Sequence, residues 1–133
     1  MITKINHIGI AVCSLEEHLP FYRDVLQLEM KGTEELKDQK VRVMIFGVGD
    51  VNLELLEPTA DDSPIARFIE KKGEGLHHIA YQTDNIVEGI DGMKAKEVLM
   101  IDETPRQGAH GTSIAFIHPK SSCKVLTELT QCF

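Results

Sequence analysis

Two histidines and two glutamates interrupt apolar stretches of this 133-residue chain at matched intervals. His7 lies in Ile5-Asn6-His7-Ile8-Gly9-Ile10 and His78 in Leu76-His77-His78-Ile79-Ala80, 71 residues later. Glu54 breaks Val51-Asn52-Leu53-Glu54-Leu55-Leu56, and Glu128 breaks Val125-Leu126-Thr127-Glu128-Leu129, 74 residues later. A carboxylate in such a strand faces solvent or is buried with a partner. Burial without one costs several kcal/mol, so a buried glutamate calls for a cation. Taken singly, each glutamate suits a solvated face and each histidine a structural hydrogen bond. One His and one Glu per repeat, in matched register, point instead to a shared divalent metal. Two imidazole nitrogens and two carboxylate oxygens suit Co, Zn, Ni, Mn or Fe. Four protein ligands on an octahedral ion leave two positions open, as a catalytic site requires. His77 competes with His78, but strand alternation separates the two and alignment with His7 selects His78.

The elements that must carry these residues recur in order. Ile5–Val12 reads as a strand, followed by a helix with Ser14 as N-cap and Glu16 and Glu17 in its first turn. Leu15, Leu19, Tyr22 and Leu26 form its stripe, and Pro20 predicts either a kink or a helix start near His18. Leu28–Glu35 reads as a strand, and Gly49-Asp50 as a hairpin turn between Val41–Val48 and Val51–Leu56. Ser63-Pro64 opens a short helix, Pro64–Lys72. From Leu76 the order begins again. Leu76–Thr83 is a strand, Ile86–Lys96 a helix, and Val98–Asp102 a strand. A loop at Arg106–Gly111 and strands at Thr112–Ile117 and Lys124–Gln131 complete it. Each half therefore runs strand, helix, strand, strand, strand, with modules at about 1–72 and 73–133 in one domain. A pseudo-twofold relation between them would bring His7, Glu54, His78 and Glu128 to one metal cleft.

The bulk composition bounds the function. With 42% apolar and 26% charged residues the chain is of globular type. No apolar run reaches the length of a membrane span. A formal charge of −7 excludes nucleic acid as the general partner. The three cysteines form no CxxC pair, and with no secretory pattern at Met1-Ile2-Thr3-Lys4 a cytoplasmic protein is expected.

Longer motifs surround the four residues: Asn6-His7-Ile8-Gly9-Ile10-Ala11-Val12, Phe21-Tyr22-Arg23-Asp24, Glu54-Leu55-Leu56-Glu57-Pro58 and Asp62-Ser63-Pro64-Ile65-Ala66. Gly75-Leu76-His77-His78-Ile79-Ala80, Gly108-Ala109-His110-Gly111 and Phe116-Ile117-His118-Pro119-Lys120 follow, then Val125-Leu126 with Glu128-Leu129. In these the chain resembles the vicinal oxygen chelate (glyoxalase/bleomycin resistance/dioxygenase) superfamily and, over essentially its whole length, the methylmalonyl-CoA epimerases. The resemblance implies an α+β fold of two βαβββ modules, paired about a pseudo-twofold axis in a curved mixed sheet around the metal. It implies a dimeric isomerase holding one divalent ion, cobalt or another, and interconverting (R)- and (S)-methylmalonyl-CoA. His7, His78 and Glu128 carry over as ligands. The remaining ligand is often Gln in that family, and here it is Glu54. A second departure is Val43, at the position where some epimerases carry a proton-transferring Glu.

The implied chemistry is C2 proton abstraction through a metal-stabilised enolate, with Glu128 as the first base. For the opposite face Glu54 and a metal-bound water are the candidates. Arg106, His110, Gly111 and Lys120 are the expected substrate contacts. Arg106, Lys120 and Lys124 would offset the charges of coenzyme A, and the His110 loop would touch or cover the substrate. The rivals are a glyoxalase I-like lactoylglutathione lyase, whose His, Glu, His, Glu ligands match this set, and a metal-free resistance-type binding module.

Overall fold

In a computed structural model that describes residues 1–133, the chain divides into two compact units, His7–His77 and Met1–Asn6 with His78–Phe133. Within them the strands are hydrogen-bonded in the orders β2-β3-β4-β1 and β5-β8-β7-β6, each with parallel and antiparallel neighbours, and three helices pack on them. No helix is long and apolar enough to cross a membrane.

In the first unit, β1 (Ile2–Ala11) leads to α1 (Leu15–Leu19), β2 (Glu29–Leu36), β3 (Val41–Val48), β4 (Val51–Pro58) and α2 (Pro64–Lys72). β1 runs parallel to β4, while β3 lies antiparallel between β4 and β2. Gly49, at φ +59°, supplies the left-handed residue that the tight β3–β4 turn demands. Ser63 caps α2 as the sequence suggests, its Oγ accepting from the Ile65 N–H at 3.1 Å.

Ser14 behaves differently. It precedes α1 but makes no side-chain cap; the Leu15 N–H donates instead to the Glu57 carboxylate at 2.9 Å. Of the two outcomes expected at Pro20, a helix start near His18 is not found, since α1 already begins at Leu15. α1 ends at Leu19 and a wide turn, Pro20–Val25, continues the chain. Leu15, Leu19 and Tyr22 pack as the stripe requires, whereas Leu26 is exposed.

Register then sorts the side chains by face. Partnered residues share a face and alternate residues switch it. His7 and Ala11 of β1, Glu54 and Leu56 of β4, Val43 and Ile45 of β3, and Glu34 of β2 fall together. The opposite face, with Met44, Phe46 and Leu55, packs on Leu15 and Leu19 of α1. α2 covers the far end of the first face, where Ile65, Phe68 and Ile69 meet Ala11, Val41, Val43 and Leu56.

The second unit repeats the plan with β5 (Gly75–Thr83), α3 (Ile86–Ala95), β6 (Arg106–Gln107), β7 (Ser113–Ile117) and β8 (Thr127–Gln131). Asn85 caps α3 by accepting from the Glu88 N–H at 3.1 Å. Arg106, Ile114, Phe116, Glu128, Thr130, His78 and Ala80 share one face. The other face, Ala115, Ile117 and Leu129, packs on Ile86 and Ile90 of α3.

Two expected strands are corrected. Val98–Asp102 forms no strand: Met100 makes one isolated bridge to Ile117, and the short strand that pairs with β7 is Arg106–Gln107. The ladder stops because the Asp102 carboxylate takes the Phe116 N–H, at 2.8 Å, in place of a backbone carbonyl. The last strand starts at Thr127 and not at Lys124, since Cys123 and Lys124 are left-handed, at φ 57° and 70°, in a turn closed onto Pro119.

Candidate active site

Alternation along four strands delivers the chemistry-bearing residues, one per strand and all buried: His7, Glu54, His78 and Glu128. Within the first unit, His7 Nδ1 lies 3.3 Å from a Glu54 carboxylate oxygen. Within the second, His78 Nε2 lies 3.4 Å from a Glu128 carboxylate oxygen. Each unit thus contributes one imidazole–carboxylate pair of the same composition. His7 of the one unit, and His78 with Glu128 of the other, are buried residues of the types that could hold one metal ion. Glu54 stands outside that group of three and touches it through His7.

Burial sets the protonation of the first pair. It pulls His7 down from 6.5 to about 4, so the ring is neutral and its nitrogens are available to a metal at neutral pH. Glu54 is pushed up from 4.5 to about 7, first by burial and then by the charge of Glu34 on the same sheet face. A side chain that dislikes its own charge this strongly is one that a divalent cation would stabilise. The donor set therefore fits a divalent ion: imidazoles, buried carboxylates and no thiol. His77, selected against on alternation, packs edge-to-face on Phe68 with centroids 4.8 Å apart, away from the group of three.

Comparison with known proteins bears on what this face does. Residues 6–116 match the Glyoxalase/Bleomycin resistance protein/Dioxygenase superfamily. A Cereibacter sphaeroides ethylmalonyl-CoA/methylmalonyl-CoA epimerase is 36% identical over 98% of this chain and 99% of its own. A human mitochondrial methylmalonyl-CoA epimerase is 38% identical over 96% of this chain and 73% of its own. The chain belongs to the methylmalonyl-CoA epimerase family of that superfamily. A structure of a methylmalonyl-CoA epimerase in complex with methylmalonyl-CoA and NH4+ superimposes with a TM-score of 0.93 at 37% identity, covering 98% of this chain and 95% of the other.

As an epimerase-family chain it departs from the expected pattern at Val43. That residue is in the apolar cluster beneath α2, and it cannot carry a proton. Its neighbour across the ladder is Glu34, the acid that acts on Glu54 and that sequence reading passed over. Glu34 stands in Gly32-Thr33-Glu34-Glu35, where nothing but strand register distinguishes it from the acid beside it.

The expected substrate contacts scatter. Arg106 shares the face of Glu128 and stacks 5.5 Å over the Phe116 ring, held at 3.2 Å by Asp102. His110 and Gly111 form a tight turn, both left-handed at φ 54° and 71°, and both are exposed. The turn is anchored by Gly108, where a Cβ would fall 2.5 Å from Ile114 Cγ2. Lys120 and Lys124 are exposed, Lys120 in the turn shaped by His118 Nδ1, which accepts its N–H.

Proposed function

We propose that this protein interconverts (R)- and (S)-methylmalonyl-CoA. The observation that carries the reading is the buried His7, His78 and Glu128 group, in a chain that resembles a substrate-bound epimerase over 98% of its length. His7, His78 and Glu128 would hold one divalent ion, cobalt or a neighbouring first-row metal, with Glu54, beside His7, as the candidate fourth ligand. When bound, such an ion supplies Lewis-acid stabilisation to negative charge developing on a substrate oxygen.

The chain's own residues supply the proton chemistry. Glu128 takes the C2 proton, the C–H electrons move into the thioester carbonyl, and a proton returns to the opposite face of C2. Glu54 is the candidate for that return. Near neutrality it holds and releases a proton readily, although a cation beside it lowers that value. Glu34 on the same face tunes it. Arg106, Lys120 and the His110–Gly111 turn are assigned to the anionic acyl-CoA, and the working unit is taken to be a homodimer, to be checked by sedimentation.

The test is exchange at C2 of methylmalonyl-CoA in deuterated water, run beside a glutathione hemithioacetal assay. Deuterium uptake with no hemithioacetal turnover supports the epimerase. The reverse result would favour the glyoxalase reading, to which the Glu54–His7 pair is the pointer.

A further inference from the structure

Asp102 was assigned no role by its position in the sequence, yet it makes three contacts that converge on one place. One carboxylate oxygen accepts the Phe116 N–H at 2.8 Å. The other lies 3.2 Å from Arg106 Nε, and the Asp102 backbone N–H donates to the Phe116 carbonyl at 3.2 Å. The result is a clamp closing Asp102–Arg106 onto β7. Arg106 is thereby laid over one side of the Phe116 ring at 5.5 Å, while the ring of His78 meets the same phenyl edge-to-face at 5.5 Å. One aromatic ring therefore lies against both a guanidinium and a buried histidine of the candidate metal group.

The geometry suits reception of an anion. Nε and one face of the guanidinium are committed to Asp102 and Phe116, which removes the rotamer freedom that an arginine arm ordinarily loses on binding. The terminal nitrogens remain on a side chain that is 44% exposed, next to an Asp102 that is only 16% exposed. Such an arginine is pre-aimed at a planar or tetrahedral oxyanion. Its side chain is 44% exposed where His78 is buried, which suits the outward-extending part of an acyl-CoA rather than the acyl carboxylate.

We propose that Asp102 is a positioning residue that fixes Arg106 on the Phe116 ring as receiver for a phosphate of the coenzyme A moiety. This rests on the acyl-CoA reading above. It explains how a chain of net charge −7 accepts a polyanionic substrate: one cation is held in place on the reacting face.

Coenzyme A itself is the probe, titrated calorimetrically into wild type, Arg106→Gln and Asp102→Asn. The Asn side chain keeps an acceptor for the Phe116 N–H but loses the ion pair to Arg106. Both variants are expected to bind coenzyme A about tenfold more weakly than wild type, the scale of one charge-assisted contact. In turnover the loss falls on KM with kcat nearly kept, and Asp102→Glu recovers part of it. With an acyl-pantetheine thioester, which has no phosphate, the variants match wild type. Undiminished coenzyme A binding by both variants overturns the clamp and leaves the epimerase reading intact. A KM penalty that persists on the phosphate-free thioester overturns the assignment to phosphate. Equal losses in kcat, KM and thermal stability reduce Asp102 to a structural residue. Wild type that turns over methylmalonyl-CoA without measurable affinity for coenzyme A overturns the receiver, whereas wild type that does neither removes the acyl-CoA reading beneath it.

Discussion

At the scale of single residues, the pair His7 and Glu54 makes the sharpest demand. Both are buried and both disfavour their charged forms, but with opposite consequences for stability. His7 has its value lowered from 6.5 to about 4, so the stability it supports is intact above pH 6.5 and is lost as pH falls toward 4. Glu54 has its value raised from 4.5 to about 7, so the folded chain favours the protonated acid and stability falls as pH rises from 4.5 to 7. In metal-free protein the two trends oppose each other between about pH 4.5 and 6.5. Glu54→Gln removes one of them. Urea midpoints of that variant should climb more steeply with pH across this window than those of wild type; identical slopes would place the raised value elsewhere. Glu128→Gln is expected to keep the fold, by circular dichroism, while turnover drops at least 100-fold, in the range of a lost general base. Full activity in that variant would remove Glu128 as the base.

At the scale of elements, local signals were legible and long-range ones were not. Ser63 read as a cap because the bond it makes reaches only two residues along the chain. Ser63→Ala should cost about 1 kcal/mol in chemical denaturation. Ser14 read equally well as a cap, but its helix takes Glu57 instead, 42 residues downstream of the Leu15 N–H it receives, and no local pattern reports that. The strand expected at Val98–Asp102 failed for a related reason. Its residues are apolar enough, but a side-chain carboxylate ends the backbone ladder. Gly108, quoted only as part of a motif, proves to be a packing glycine against Ile114 and Thr112. Gly108→Ala should cost about 1–3 kcal/mol through overpacking, seen as a lowered melting temperature, and should loosen the His110 turn.

For the molecule as a whole, the repeat exposed the candidate site early, since period-two alternation in four strands names the inward residues directly. It left Glu34, Asp102 and Phe116 without a role, because their importance lies in cross-strand register that a single sequence does not display. If the ligands act as proposed, dialysis against a chelator abolishes epimerisation and lowers the melting temperature, and restoring a divalent ion reverses both. At a metal concentration 100 times Kd, the restored stability amounts to about 2.7 kcal/mol. Protein that melts and turns over identically before and after stripping would rule out a resident metal.

The register carries one more lesson. Glu34 pairs with Val43 on β3, two residues before Ile45, the partner of Glu54. Arg106 pairs with Ile114 on β7, two residues before Phe116, the partner of Glu128. Equivalent edge positions of the two repeats thus hold opposite charges. The halves retain a common backbone plan but have divided their labour, one edge acidic and the other basic. A chain engineered as a tandem duplicate of either half would therefore regenerate the paired ligands while doubling one charge and losing the other. The common plan is written in the ladder, and so is the point past which the two halves are not interchangeable.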